Sequence, residues 1–472
     1  MSTFSIGGLA TGLDTNSIIT QLMNLERVPE QFLQTQQKKN TSKISEYQKI
    51  EDALASLQTV VQGFNTPETF SSVKSTVANE SLLTATPTSA ATPGTHTVQV
   101  ISLAKNQRQV STGVASNTSL IFNTGTFTID DGAGNITTVS LAEGQNSLQG
   151  IASSINSSGA NASASIINDG TNYRLVVTGK DTKNYTLVFS GLDNLPAGGT
   201  GSLTPTLLGS GDPTYQAGAD AQLVVDGVSM TKKSNTITDA IQGVTLDLLT
   251  EGSSTSLSVT NDTDAITQKL NNFISAYNKV ITLINSESSY NANSKTAGVL
   301  SGDSTIQTIQ QQLRSLLTAT VSGATGNFKS LSSLGIKSDS KTGTLSIDST
   351  KLSDALNNHY SDVVDYFTHN SGSYATLPTN QYGMAIQFDK IIDTMVHPYV
   401  ADGMPDNGII EVRKKGLTKT NSDIDKQIDA LEERITQMQT NLQNQFNSME
   451  TLVSSLQTQG NTLLNYLSSL NS

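Results

Sequence analysis

Histidine is the side chain that most often binds metals or moves protons near neutral pH. The chain has four: His96, His359, His369 and His397. None shows the HExxH spacing that sets two imidazoles and a general base on one helical face, so zinc-protease chemistry is not encoded. Ser338 and Lys341 match S-x-x-K, and Lys341, Thr342 and Gly343 match K-T-G. An acyl-transfer site needs those two motifs on separate elements. Here they overlap, which describes a turn between two strands. Asp130, Asp131 and Asn135 are oxygen donors in a Gly-containing run. They lack the spacing and the terminal bidentate Glu of a calcium loop, and again a hairpin turn fits. There is no G-x-S-x-G elbow and no phosphate-binding G-x-x-x-x-G-K-[ST] loop. The absence of cysteine rules out disulfides and thiolate metal ligands. The N-x-[ST] triplets follow from an abundance of Asn, Ser and Thr and carry no assignment. The expectation is a non-enzymatic chain with no catalytic, metal or cofactor-binding residues and no cofactor.

Composition points the same way. At 472 residues the chain is long enough for roughly three or four domains. Only 35% of residues are apolar and 14% charged, a balance suited to a surface-rich, elongated, multidomain protein. The net charge of −12 repels phosphate backbones, so no nucleic-acid partner is expected. No apolar run approaches the roughly 20 residues of a membrane span. The opening residues lack the basic and apolar regions of a secretory signal, so no Sec-type export and no membrane span are expected.

The positive signal lies in the elements at the two ends. Asp14 or Asn16 can cap a first helix, on which Ile18, Leu22 and Leu25 recur at helical spacing. Pro29 predicts a break or kink there. The pattern resumes with Tyr47, Ile50, Leu54, Leu57, Val61 and Phe64. Near the other end Ile428, Ile435, Leu442, Met449, Leu456, Leu463 and Leu470 recur every seventh residue. A second row holds Ile424, Leu431, Met438, Gln445, Leu452, Gln459 and Tyr466. These are a and d positions of a coiled-coil-like helix, with a start predicted at Asn421, Ser422 or Asp423. Gln445 and Gln459 read as tolerated imperfections, and Gly460 as a soft spot. One stripe cannot bury itself, so the two ends are expected to pack together and enclose the rest of the chain. The structural alternative is a two-helix stalk with no further role.

The middle reads as β. Val98 and Val100 alternate, as do Phe127 and Ile129 before a turn and Ile136–Val139. Leu223–Val225, Asp226-Gly227 and Val228–Met230 form a hairpin signal. One helix is predicted from Ser147 to Asn156, and a loop over 191–213. After Asp262 helices return, with Ile266, Leu270, Phe273, Ile274, Tyr277 and Ile281 on one face and Ile306, Ile309, Leu313 and Leu316 on another. A hairpin around Asp339–Gly343 and further helix through Leu352, Leu356, Val363, Val364 and Phe367 follow. The fold class is α+β and multidomain: nested discontinuous domains with helical ends and β-rich heads.

Extended blocks of text resemble one family. GLATGLDTNSIITQLMNLERVP (residues 8–29) is similar to the N-terminal signature of flagellar cap proteins, the hook-associated protein 2 family. So are residues 256–288, 297–317, 331–352 and 406–435, in the family's order. Residues 125–178 resemble the flagellin-hook IN repeat, a helix followed by strands. The resemblance implies a coiled-coil leg domain (1–41 and 421–472) and a helical stalk domain (42–84 and 262–420). It implies a β-rich inner head (85–118 and 213–261) and a variable outer head (119–212). It further implies a homo-oligomeric cap at the flagellum tip that helps flagellin polymerise and prevents loss of monomers. The implied partners are other copies of itself, flagellin and the filament end, the hook–filament junction protein, and an export chaperone on the segment from Ile424 to Leu470. Secretion would use the flagellar type III system, and the heads could bind host mucus. Two other readings stay open: an adhesin or fibre-tip protein without a polymerisation role, and an enzyme in the β region.

Overall fold

Helix-forming and strand-forming sequence segregate along the chain, and the structure follows that segregation. The computed structural model describes residues 11–189, 206–291, 295–370, 379–396, 399–401, 404–406 and 408–470. The chain divides into two units, one from residues 1–70 and 263–472, the other from 71–262. The result is a mixed α/β multidomain protein with separate helical and sheet regions.

The first unit is helical. Its elements are α1 (Thr15–Glu26), α2 (Val28–Gln62) and, after the sheet unit, α4 (Thr263–Ser288), α5 (Ser304–Thr318), α6 (Ser349–Asn358), α7 (Tyr360–Thr368), α8 (Met384–Val396) and α9 (Ile409–Leu470). Asp14 caps α1 by accepting a bond from the Ser17 N–H. The break falls at Arg27, and Pro29 sits in the first turn of α2. There its missing N–H costs nothing, because that donor would be unpaired in any helix start. Tyr47, Ile50, Leu54, Leu57, Val61 and Phe64 pack with the apolar faces of α4, α5 and α8 into one core. Phe273 meets Phe388 edge to face at 5.3 Å, a favoured aromatic geometry. The hairpin around Asp339 is present, pairing Ile336–Ser338 with Leu345–Ile347.

One boundary is corrected. The terminal helix begins at Ile409, a turn sequence well before the expected cap at Asn421, Ser422 or Asp423. Ile410 and Leu417 extend the heptad of Ile424 backwards, and all three are buried. Gly416 lies within the helix, where it costs only about 1 kcal/mol. At 62 residues the helix is about 93 Å long.

The second unit is built on sheets. A five-stranded sheet has the order β1-β14-β3-β10-β11, with β1 Val73–Val77, β3 Gly94–Ser102, β10 Ala221–Val225, β11 Val228–Lys232 and β14 Thr255–Asn261. A three-stranded sheet joins β2 (Leu83–Pro87), β13 (Val244–Leu248) and β12 (Thr236–Ile241). Strand β1 pairs with β14 and β2 with β13, and the sheet unit begins at Ser71. These sheets share the core of Val98, Val100, Leu223, Leu246 and Leu257. A second lobe holds β4 (Arg108–Val110), β8 (Tyr173–Gly179) and β7 (Ala162–Asn168) in one sheet, and β6 (Ile136–Leu141), β5 (Gly125–Asp130) and β9 (Thr186–Val188) in another. Helix α3 (Leu148–Ser157) packs between them, capped by Ser147. Most of the expected loop over 191–213 lies outside the described residues.

The Asp226-Gly227 turn has φ of 49° and 84°, the two positive values that a type I′ hairpin turn requires. Gly243 is the more constrained position. It has φ of 72°, and a Cβ there would lie 2.5 Å from the backbone N of Ala91. Gly243→Ala therefore adds left-handed strain to a backbone collision that no side chain can relieve. The expected cost is about 2–4 kcal/mol, and a thermal melt of the purified chain should show it as a lower transition.

Candidate interaction surface

The described residues singled out for chemistry take part in turns and helix ends. The His96 ring nitrogen Nδ1 lies 2.7 Å from Asp226 Oδ2 at the hairpin turn. His369 Nδ1 lies 2.8 Å from Asp365, one helical turn away. His359 joins α6 to α7, and His397 lies outside the described residues. Asp131 receives bonds from Lys183 Nζ, Asn135 Nδ2 and the N–H groups of Ala133 and Asn135. Lys183 and those donors hold its carboxyl well below the ordinary carboxylate range. The site is thus a closed turn. Asp339 likewise accepts from Lys341 N–H and Thr342 N–H, so the overlapping Ser-Lys motifs are a hairpin loop. Among the described residues no group of three or more His, Cys, Asp or Glu could hold a metal ion. No helix among them is long and apolar enough to cross a membrane.

The surface left to consider is the terminal seam. Its base is a polar knot inside the helical unit. Asp303 caps α5 and is almost fully buried. Its carboxylate accepts from Tyr47 Oη of α2 at 2.6 Å and from Arg413 Nη2 of α9 at 3.0 Å. Burial pushes the Asp303 carboxyl up, but the bonds from Tyr47, Arg413 and the Thr305 N–H outweigh it and hold it below its usual value. Beside it Lys414 binds Glu51 at 2.6 Å and Gln48 at 2.7 Å. Further out, Asn40 donates to Asn421 at 2.9 Å, and Asn421 to Thr41 at 3.2 Å. These rungs fix the register of α2 against α9.

Along the seam Ile424 and Ile435 are buried. Ile428, Leu431, Leu442 and Met449 are half-buried. On α1 the contacting residues are Ile19 and Met23, which cluster with Ile435, Leu442 and Phe446. The expected row sits one residue to the side: Ile18 is half-buried, Leu22 exposed and Leu25 69% exposed. Both rows are apolar at helical spacing, so periodicity alone could not choose between them. Thr11 bonds to Glu450, a rung between the two ends further out along the helix. Beyond it the leucines of the row are exposed. Leu452 is 60%, Leu456 56% and Leu463 61% exposed, as are much of Leu464, Tyr466 and Leu467. Met438, nearer the base, is also exposed. Gln445 and Gln459 are exposed, consistent with their tolerated polarity. Leu470 ends the helix, and its side chain lies outside the described residues.

A row of exposed leucines on a helix rooted in a folded core is a surface suited to association. Comparison with known proteins specifies which kind. The family model for the flagellar hook-associated protein 2 C-terminus matches residues 218–458, and that for its N-terminus matches residues 11–107. The chain is 31% identical to the flagellar hook-associated protein 2 of Escherichia coli O157:H7 over 455 residues, 92% of each chain. It is 28% identical to the A-type flagellar hook-associated protein 2 of Pseudomonas aeruginosa, over 92% of this chain and 91% of that one. The crystal structure of the D1-D2-D3 domains of the flagellar cap protein FliD from Escherichia coli matches with a TM-score of 0.55 at 28% identity, covering 79% of this chain and 99% of that one. The chain belongs to the flagellar hook-associated protein 2 family.

Proposed function

We propose that this chain caps the distal end of a bacterial flagellar filament, assembling with copies of itself, promoting flagellin polymerisation and preventing loss of monomers. It is a structural protein and not an enzyme. Family membership supports this role over that of an adhesin. The observation that carries the mechanism is the row from Leu452 to Leu467, exposed on a helix whose other end is knotted into the helical core. A single exposed row offers few contacts, each contributing about 1.5–3 kcal/mol, so they are individually weak and remakeable. A cap that must advance without detaching needs such contacts.

In this reading residues 1–41 and 421–472 form a coiled-coil leg, and 42–84 with 262–420 form the stalk around which the domains nest. Residues 85–118 with 213–261 form the inner head, and 119–212 the outer head. The seam residues Ile18, Leu22, Leu25, Met438, Leu452, Leu456, Leu463 and Leu470 face partners in the assembly. Ile424, Ile428, Leu431, Ile435, Leu442 and Met449 serve the packing of the leg itself. Export runs through the flagellar type III system, and a chaperone covers the C-terminal row before assembly. The hook–filament junction protein is a neighbour, and host mucus a secondary ligand of the heads.

Deleting the gene and measuring flagellin in cells and medium tests the role. Unpolymerised flagellin in the medium with few filaments is the expected outcome. Normal filaments without leakage would sink the cap assignment and make adhesion the leading reading.

A further inference from the structure

The sheet unit has two lobes joined by a narrow neck, and the neck is where a hinge would be expected. The chain leaves the inner sheets after β3 at residues 103–107 and returns through 216–220 into β10. These two segments pair with each other, Lys105 with Ala219 and Arg108 with Gln216. A bare two-stranded ribbon is compliant to twist and bend. This one is gripped on both sides by side-chain amides.

Each amide binds the N–H and the C=O of a single residue, the pattern that a neighbouring strand would supply. On the inner side Asn235 Oδ1 accepts from Ala104 N–H at 2.7 Å, and Asn235 Nδ2 donates to Ala104 C=O at 3.0 Å. Glu251 accepts from Leu103 N–H at 3.3 Å and from Lys105 Nζ at 3.0 Å. On the outer side Gln107, 3% exposed, donates to Tyr185 C=O at 2.8 Å and accepts from Tyr185 N–H. Asn184 accepts from Gly218 N–H at 2.9 Å and donates to Gly218 C=O at 3.3 Å. Thr182 Oγ1 bonds to Asp220 Oδ1. Contact at Gly218 is so close that a Cβ would lie 2.4 Å from Thr182 O and 2.5 Å from Lys183 O.

A planar amide bonded at both ends fixes distance and orientation together. Three such amides, one tied to the inner sheets and two to the outer lobe, constrain bending and twisting at once. We infer that Asn235, Gln107, Asn184 and Gly218 are positioning residues that lock the two lobes into one rigid body. The outer lobe is then a fixed arm: a load on it reaches the inner sheets instead of dissipating in a hinge. The inference stands apart from the cap assignment, since it concerns the sheet unit alone.

The test uses the full chain, which has no native cysteine to label unintentionally. Nitroxide labels go on Val228→Cys at the inner sheet edge and Ile167→Cys on the outer lobe, both exposed positions. Electron–electron resonance then reads the distribution of distances between them. The expected distribution is a single narrow peak. Gln107→Leu with Asn184→Leu should at least double its width. Asn156→Leu breaks a similar amide clamp inside the outer lobe, on Ala164, and should leave the width unchanged. Gly218→Ala replaces the double variant if that one aggregates, and should broaden the peak likewise. A broad or two-peaked distribution in the parent chain overturns the inference. So does an unchanged width in a folded neck variant.

Discussion

A strain whose chain carries Leu442→Asp and Leu456→Asp grows few or no filaments and loses flagellin to the medium, while the purified variant keeps its folded sheet unit. Leu456 is more than half exposed, and exposed substitutions away from special features usually change stability by within about 0.5 kcal/mol. Leu442 is half-buried against the small cluster of Ile19, Met23 and Ile435, so only the end of the leg loosens. Binding is affected far more. Covering one leucine side chain contributes about 1.5–3 kcal/mol, and a carboxylate there would also have to be desolvated. Losing the Leu456 contact removes about 1.5–3 kcal/mol, or roughly one to two orders of magnitude in affinity. Filament counts, secreted flagellin and a circular-dichroism melt together check this. Normal filament growth would show that the row is not the surface that binds.

Asp303→Ala is expected to destabilise the helical unit by about 2–4 kcal/mol, because it removes the cap of α5 and the hydrogen bond of the buried Tyr47 hydroxyl, while the half-exposed Arg413 can turn to solvent. It also removes one tie of α9 to α2 and α5, leaving those through Lys414 and Asn421. The same carboxylate gives the unit a pH dependence. Its folded value is held below its unfolded value of about 3.9. The stabilisation is therefore present above the unfolded value and is lost as pH falls through the lower, folded one. Acid titration of the parent should show the helical signal falling at low pH with a contribution from this group. Asp303→Asn should be less stable at neutral pH and less sensitive to acid below about pH 4. Equal acid sensitivity in parent and variant would remove Asp303 from the account.

Much of the fold was legible because burial follows period. The row from Tyr47 to Phe64, the faces of α4 and α5, the Asp226-Gly227 hairpin and α3 with its Ser147 cap all lie where spacing and turn chemistry put them. Boundaries were less legible. Ile410 and Leu417 extend a heptad backwards, yet a polar stretch with three possible caps lies between them and the rest of it. Whether that stretch stays helical depends on core packing around Ile410 that local sequence does not express. On α1 two adjacent rows are equally apolar, and only the position of Ile435 chooses between them.

By itself, the sequence determined the segregation of helix and sheet, the long apolar seam, the absence of cysteine chemistry and the family resemblance. These depend on residue type and period, which are local properties. Tertiary structure decided which row of α1 meets α9 and which leucines of the seam are exposed. It decided that Asp303 ties three helices together, and that isolated Asn and Gln residues splint the neck. Those facts join residues far apart in the chain, such as Tyr47, Asp303 and Arg413, and no spacing along the chain encodes a contact that only the folded core creates.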